Sequence, residues 1–142
     1  MNRAKRELER VKRIAAAEGV YGDGRFRDEI ARLEVDVVAL EMMVLRVLSA
    51  EKSGKQSLDV AGLLKIRGSE IQQRYSELMM LAAGPSAVPL HKEAMEAGWQ
   101  AELASGSFMA PLAATYFNMR KTTIYGGSNE VQRNIVAQTV LG

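Results

Sequence analysis

The longest regular pattern of apolar residues in the chain runs through Phe26, Ile30, Leu33, Val37, Leu40, Val44 and Val47. Their separations alternate between four and three, which keeps them on one side of an α-helix. The pattern predicts a helix from about Arg25 to Ser53 whose stripe forms a heptad seam. Such a seam favours a neighbouring helix crossing at about 20°. Val38, Leu45 and Leu48 broaden the stripe. The helix is therefore expected to meet neighbours on two sides, within a bundle interior or across a second interface with another subunit.

Helical spacing recurs along the rest of the chain, and strand-like alternation does not occur. Leu8, Val11, Ile14 and Ala15 mark a first helix from Arg3 to Glu18, ended by Gly19, and Tyr21-Gly-Asp-Gly24 reads as a turn. After a loop at Ser53-Gly-Lys-Gln-Ser57, a third helix is predicted from Leu58 to Ala83. Leu64, Gly68, Ile71, Tyr75, Leu78 and Ala82 share one face of it, and Gly84-Pro85 stops it. Glycine costs about 1 kcal/mol relative to alanine inside a helix, so a neighbour is expected to pass close to Gly68. Lys92 to Leu103 predicts a short amphipathic helix presenting Met95 and Trp99. Pro111 suits the first turn of a helix reaching Ile124. Ser128 is a good N-cap for a last helix from Asn129, with Glu130 complementing its positive end and Val131, Ile135 and Val136 on its apolar side. The expected fold is all-α: one domain over residues 1–142, an antiparallel four-helix bundle with a leading helix.

Composition narrows the chemistry. The absence of cysteine excludes disulfides, thiolate metal sites and a cysteine nucleophile, and agrees with a reducing, cytoplasmic location. Nineteen basic against seventeen acidic side chains leave a net charge of +2, too even for a strong nucleic-acid field. Arg3, Lys5, Arg6, Arg10, Lys12 and Arg13 do crowd the first helix. A basic face of this kind is a solvated surface, a match for an acidic partner, or a binder of phosphates on nucleic acid or a membrane surface. No run of about 18 apolar residues exists to cross a membrane, and no apolar stretch follows the basic start to make a secretory signal.

Few residues suggest a reaction. His91 lies in an irregular stretch with no local partner and reads as a loop residue. No metal-ligand spacing occurs, so no metal is expected. Asp36 and Glu41 fall on the polar side of the second helix and read as solvated charges. Met42, Met43, Met79 and Met80 read as core filler or soft interface. Trp99 either grips a ligand or packs on the bundle. Gly126-Gly127-Ser128 stands out because it directly precedes a helix. Glycines let a backbone approach a ligand, and unbonded N–H groups at a helix start attract phosphate. A plain turn with its cap explains the same residues.

The sequence from Thr123 to Gly142, opening Thr123-Ile-Tyr-Gly-Gly-Ser-Asn-Glu-Val-Gln-Arg-Asn134, resembles the terminal motif of acyl-CoA dehydrogenases. Phe26-Arg-Asp-Glu-Ile-Ala-Arg-Leu-Glu34 and Leu63-Leu-Lys-Ile-Arg-Gly-Ser-Glu70 resemble the two long bundle helices of that family. The likeness covers most of the chain, is strongest after Thr122 and is weak from 86 to 110. It implies a flavin oxidoreductase of fatty-acid metabolism in which a carboxylate removes the α proton of an acyl-CoA thioester and FAD takes the β hydrogen as hydride. It also implies that the bundles pack together in homodimers or homotetramers and border a shared flavin site. By this resemblance Gly127, Ser128 and Glu130 are cofactor-binding positions, with FAD as the cofactor and an acyl-CoA and an electron acceptor as partners.

The departures limit the inference. Many members carry the glutamate base directly after the motif tyrosine, where this chain has Gly126, so no catalytic residue is assigned here. Others place the base on an earlier helix, largely missing here. The family's arginine-phenylalanine-glycine flavin motif is replaced by Tyr21-Gly-Asp-Gly-Arg-Phe26, and the family's flavin-reaching glutamine falls near Met80. The amino-terminal helical and middle β domains have no counterpart in these residues, and Met1 falls inside the family's first bundle helix. The chain is therefore expected to act as one domain of a dehydrogenase, inactive alone. The alternatives are a non-catalytic assembly subunit of a heteromeric relative and a basic-helix binder of nucleic acid or membrane surface.

Overall fold

A computed structural model describes residues 2–52, 58–89, 91–93, 96 and 108–141. Among them are five α-helices and no strand: α1 Asn2–Ala17, α2 Gly24–Lys52, α3 Leu58–Ala83, α4 Leu112–Met119 and α5 Asn129–Leu141. The stretch with Met95 and Trp99, the loop at 53–57 and Gly142 lie outside the described residues. No helix among the described residues is long and apolar enough to cross a membrane.

The third helix is the hub, touching α1, α2, α4 and α5. Its apolar face supplies Ile71, Tyr75, Leu78, Met79, Ala82 and Ala83 to the core. The α1 stripe of Leu8, Val11, Ile14 and Ala15 is buried as its spacing predicts, and so are Ile30, Leu33 and Val37 from the α2 seam. Ion pairs report the helix directions. Lys5 meets Glu41 and Lys12 meets Glu34, so α1 and α2 are antiparallel. Arg67 meets Asp36 and Arg74 meets Glu29, so α2 and α3 are antiparallel too. Asp36 and Glu41 are thus paired surface charges, and much of the basic α1 face is matched by acids of its own chain.

Left-handed glycines set the boundaries. Gly19, with φ +73°, ends α1, and Gly84, with φ +62°, ends α3. Asp23 accepts a hydrogen bond from the Arg25 amide at 2.9 Å and starts α2.

Three expectations need correction. The helix predicted from Pro111 to Ile124 stops at Met119 and tightens into a 3-10 turn, Arg120–Thr123. The cause is tertiary: the turn is bonded to α3 through Gln73 and Arg120. On α5, Val131 and Ile135 are half-exposed, and the side that docks on α3 is made by Asn129, Gln132 and Val136. The close helix approach is at Gly62 rather than Gly68. A Cβ at Gly62 would sit 2.9 Å from Val136 Cγ2 and 3.1 Å from Gln132 Oε1, whereas one at Gly68 meets nothing within 4 Å.

The α2–α3 ion pair gives a pH-dependent contribution. The hydrogen bond from Arg74 holds the Glu29 carboxyl below the usual carboxylate range, helped by Arg32. A carboxylate with a depressed folded-state pKa stabilises the fold above its unfolded pKa of about 4.3 and loses that effect as pH falls through the folded value. Because the pair is partly exposed, Glu29→Gln is expected to cost less than about 1 kcal/mol at neutral pH. Thermal melts across pH should show wild type and variant converging in acid. A gap unchanged down to strong acid would remove the pair as its source.

Candidate functional site

The site is the loop Ile124–Ser128, held between the 3-10 turn and α5. Gly126 and Gly127 have φ of +69° and +84°, a consecutive left-handed pair that side chains resist. A Cβ at Gly127 would lie 2.6 Å from Gln132 Nε2, the group that donates to the Gly126 carbonyl at 3.3 Å. Ser128 caps α5: its Oγ accepts from the Val131 amide at 3.4 Å, and its carbonyl from the Gln132 amide at 2.9 Å. Among the described residues, the N–H groups of Gly126, Gly127 and Ser128 bond to no acceptor. Glu130 is exposed, and its carboxylate bonds to its own amide and to the Ser128 hydroxyl. Those bonds hold its pKa below the usual range, so it stays anionic at the helix start.

A polar knot fixes this loop to α3. Gln73 Nε2 reaches the Arg120 carbonyl at 3.1 Å and the Met119 carbonyl at 3.3 Å. Arg120 returns with bonds to the Gln73 carbonyl at 2.8 Å and Ser76 Oγ at 3.1 Å, its guanidinium 4.3 Å from the Tyr116 ring centroid. Buried Thr122 donates to the Met119 carbonyl at 2.7 Å. At the α5 end, buried Asn129 gives its Nδ2 to Ser69 Oγ at 3.1 Å and takes the Lys65 ammonium on its Oδ1 at 2.7 Å. No buried side-chain nitrogen or oxygen among the described residues lacks a partner, which is what an interior polar cluster requires.

Two hollows flank the knot. A small one of about 250 Å³ has Lys65, Ser69, Gln72, Thr122, Tyr125 and Gly126 on its walls. A cleft of about 450 Å³ opens between α1, α3 and α4 over Ile71, Tyr75 and Met79. Gly68 and Gln72 border both, so the bare backbone of Gly68 forms part of the floor on each side.

Gly126, Gly127, Ser128 and Glu130 therefore share one exposed loop and helix start. His91 is half-buried and lines neither hollow. Among the described residues no group of three histidine or acidic side chains is placed to hold a metal. Sequence reasoning overlooked Lys65, Ser69, Gln73 and Asn129. A signal was present: Lys65, Ser69 and Gln73 stand four apart, a polar stripe running beside the apolar one on α3.

Comparison with known proteins places the chain in a family. The family description "Acyl-CoA dehydrogenase, C-terminal domain" matches residues 2–141. A curated relative, acyl-CoA dehydrogenase IpdE1 of Mycolicibacterium smegmatis, is 26% identical over 137 residues, spanning 96% of this chain and 30% of the relative. Among solved structures, the Tcur3481-Tcur3483 steroid ACAD superposes with a TM-score of 0.74 at 21% identity, covering 99% of this chain and 34% of that one. A variant of the same protein gives a TM-score of 0.73 at 21% identity and the same coverage. At that identity the structural likeness shows the fold alone, and the chain spans about a third of the length of these proteins.

Proposed function

The chain belongs to the acyl-CoA dehydrogenase family as its carboxy-terminal domain, and from that premise we propose that the protein carrying it desaturates an acyl-CoA thioester with FAD, this domain bordering the flavin and joining subunits. One observation carries the flavin role. Gly126, Gly127 and Ser128 present three unbonded N–H groups at the start of α5, on a turn without Cβ atoms at its two tightest positions. That is a surface against which a phosphate or a polyol chain can lie closely.

The residues fit such a group in distinct ways. The Gly127 and Ser128 amides donate to an anionic oxygen. Glu130, held anionic, repels phosphate and suits a hydroxyl donor of the ribityl or ribose part. Bound FAD supplies the hydride-accepting ring. Gly126 has no side chain to take the α proton, so the base comes from outside this turn. Abstraction of a weakly acidic α proton needs a positioned base, and the domain alone is accordingly expected to be inactive.

The subunit role rests on α2. Val38, Met42, Leu45 and Leu48 are each about half-exposed, along one broad stripe continuous with the buried seam. Exposed apolar stripes of this length favour a packing partner, here a second bundle in a dimer or tetramer. The same stripe, together with Gly126, supports a second reading: a non-catalytic subunit that pairs with a related chain carrying the base.

Purification of the full-length protein tests both readings. The expected result is a yellow flavoprotein, dimeric or larger by sedimentation, that reduces an artificial electron acceptor when given acyl-CoA. Co-purification of a related chain with a base would select the second reading. A colourless, inert homomer would defeat the dehydrogenase reading, and a strict monomer at high concentration would remove the assembly role.

A further inference from the structure

The ammonium of Lys65 touches both ends of the glycine loop. It donates to the Asn129 side-chain oxygen at 2.7 Å and to the Thr123 carbonyl at 3.3 Å. Thr123 is the last residue before the loop Ile124–Ser128, and Asn129 is the first after it. Lys65 is partly buried, and among the described residues no carboxylate pairs with it. An ammonium is strongly hydrated, so partial burial here costs desolvation, which the two neutral acceptors and the more distant Glu130 charge offset. An ordinary surface lysine would turn to solvent, whereas this one spans the neck of the loop.

We propose that Lys65 is a positioning residue: it clasps the two ends of the Ile124–Ser128 loop and so fixes the direction of the Gly126, Gly127 and Ser128 amides towards the flavin. The flavin part of this assignment rests on the function proposed above. The geometry supports the clasp independently. Two consecutive left-handed glycines have wide conformational freedom and do not define their own shape. Gln132 fixes the loop tip through the Gly126 carbonyl. Among the described residues no backbone bond crosses the neck. Gln73 holds the Thr123 end and Ser69 the Asn129 end separately, and Lys65 is the side chain that bonds to both. Ser69 and Ile66 complete the arrangement. Ser69 Oγ donates to the Ile66 carbonyl at 2.8 Å and accepts from Asn129 Nδ2, which turns the amide oxygen of Asn129 towards Lys65.

The test uses the full-length protein with Lys65→Met, Lys65→Arg and Asn129→Ala. Three quantities are read: hydrogen exchange at the Val131 and Gln132 amides, which bond to Ser128; FAD dissociation; and the melting temperature of the apoprotein. Lys65→Met is expected to speed exchange and weaken FAD binding, each by roughly tenfold, as loss of a hydrogen bond to a charged group would. Lys65→Arg should restore most of both. Asn129→Ala should reproduce the loosening, and the Lys65→Met/Asn129→Ala double variant should add little to either single change. This second route keeps the test sound if one variant folds poorly. Unchanged exchange in both single variants would overturn the clasp. Faster exchange with unchanged FAD affinity would overturn its service to the flavin. Failure of the wild-type protein to bind FAD would instead defeat the function on which that service rests, while the exchange result still decides the clasp.

Discussion

Leu78→Ala is expected to lower the unfolding free energy by about 3 to 5 kcal/mol. Leu78 is fully buried at 0% exposure, on α3, in the core cluster to which α1 and α2 also contribute. Truncating a leucine there removes the transfer free energy of its methyl groups and leaves a cavity. Leu78 shares one buried cluster with fully buried residues of the other long helices, Val11 and Leu33 among them, and helices of that length cannot close in around a small void. Domains of this size are stable by only about 5 to 15 kcal/mol, so the change takes a large share of the total. Urea titration should show a lower midpoint with an unchanged slope, meaning lost stability rather than a different unfolded state. A loss below about 1 kcal/mol would show that α3 is not the shared element of the core, because a peripheral leucine collapses cheaply.

The same helix shows which parts of the structure were legible in the chain and which were not. Core faces repeat, so Leu8, Val11, Ile14, Ile30, Leu33, Val37, Ile71, Tyr75 and Leu78 are all marked by spacing. Hydrophobic periodicity is a local signal that burial obeys directly. Polar contacts between helices carry no such period. Gln73, Arg120 and Ser76 meet only because α3 and the turn after α4 are brought together, and that meeting cuts α4 short at Met119. The apolar residues of α5 were misleading for a related reason. Val131 and Ile135 stay half-exposed because the docked side is fixed by Asn129 on Ser69 and Lys65. At the candidate site, the turn and its cap were readable from Gly126-Gly127-Ser128, since cap and turn chemistry is local. The lysine and the serine that orient the turn lie about sixty residues earlier in the chain, where only their four-residue spacing hints at a shared face.

Glycine on α3 provides the other large effect, through a contrast between two positions. Gly62→Phe is expected to undock α5, whereas Gly68→Ala is expected to stabilise the chain by up to about 1 kcal/mol. At Gly62 even a first carbon would press on Val136 and Gln132, and an aromatic ring has no route past them. Overpacking costs about 1 to 3 kcal/mol where neighbours can shift. Here the cheaper response is for α5 to leave. The helix has 13 residues, with Val131, Ile135, Val140 and Leu141 half-exposed or more, so little apolar burial resists its departure. A helix of that length is marginal in water, so the undocked segment should melt rather than persist. Hydrogen exchange should then speed across residues 129–141 while the core amides of α1, α2 and α3 keep their protection, and FAD affinity should fall with the loop. At Gly68 the outcome reverses because an added methyl meets nothing within 4 Å and relieves the entropic cost of glycine in a helix. Weaker flavin binding in the more stable Gly68→Ala protein would mean that the bare backbone between the two hollows is kept open for a ligand. Unchanged binding would mean that the gap at Gly68 is space the domain does not use.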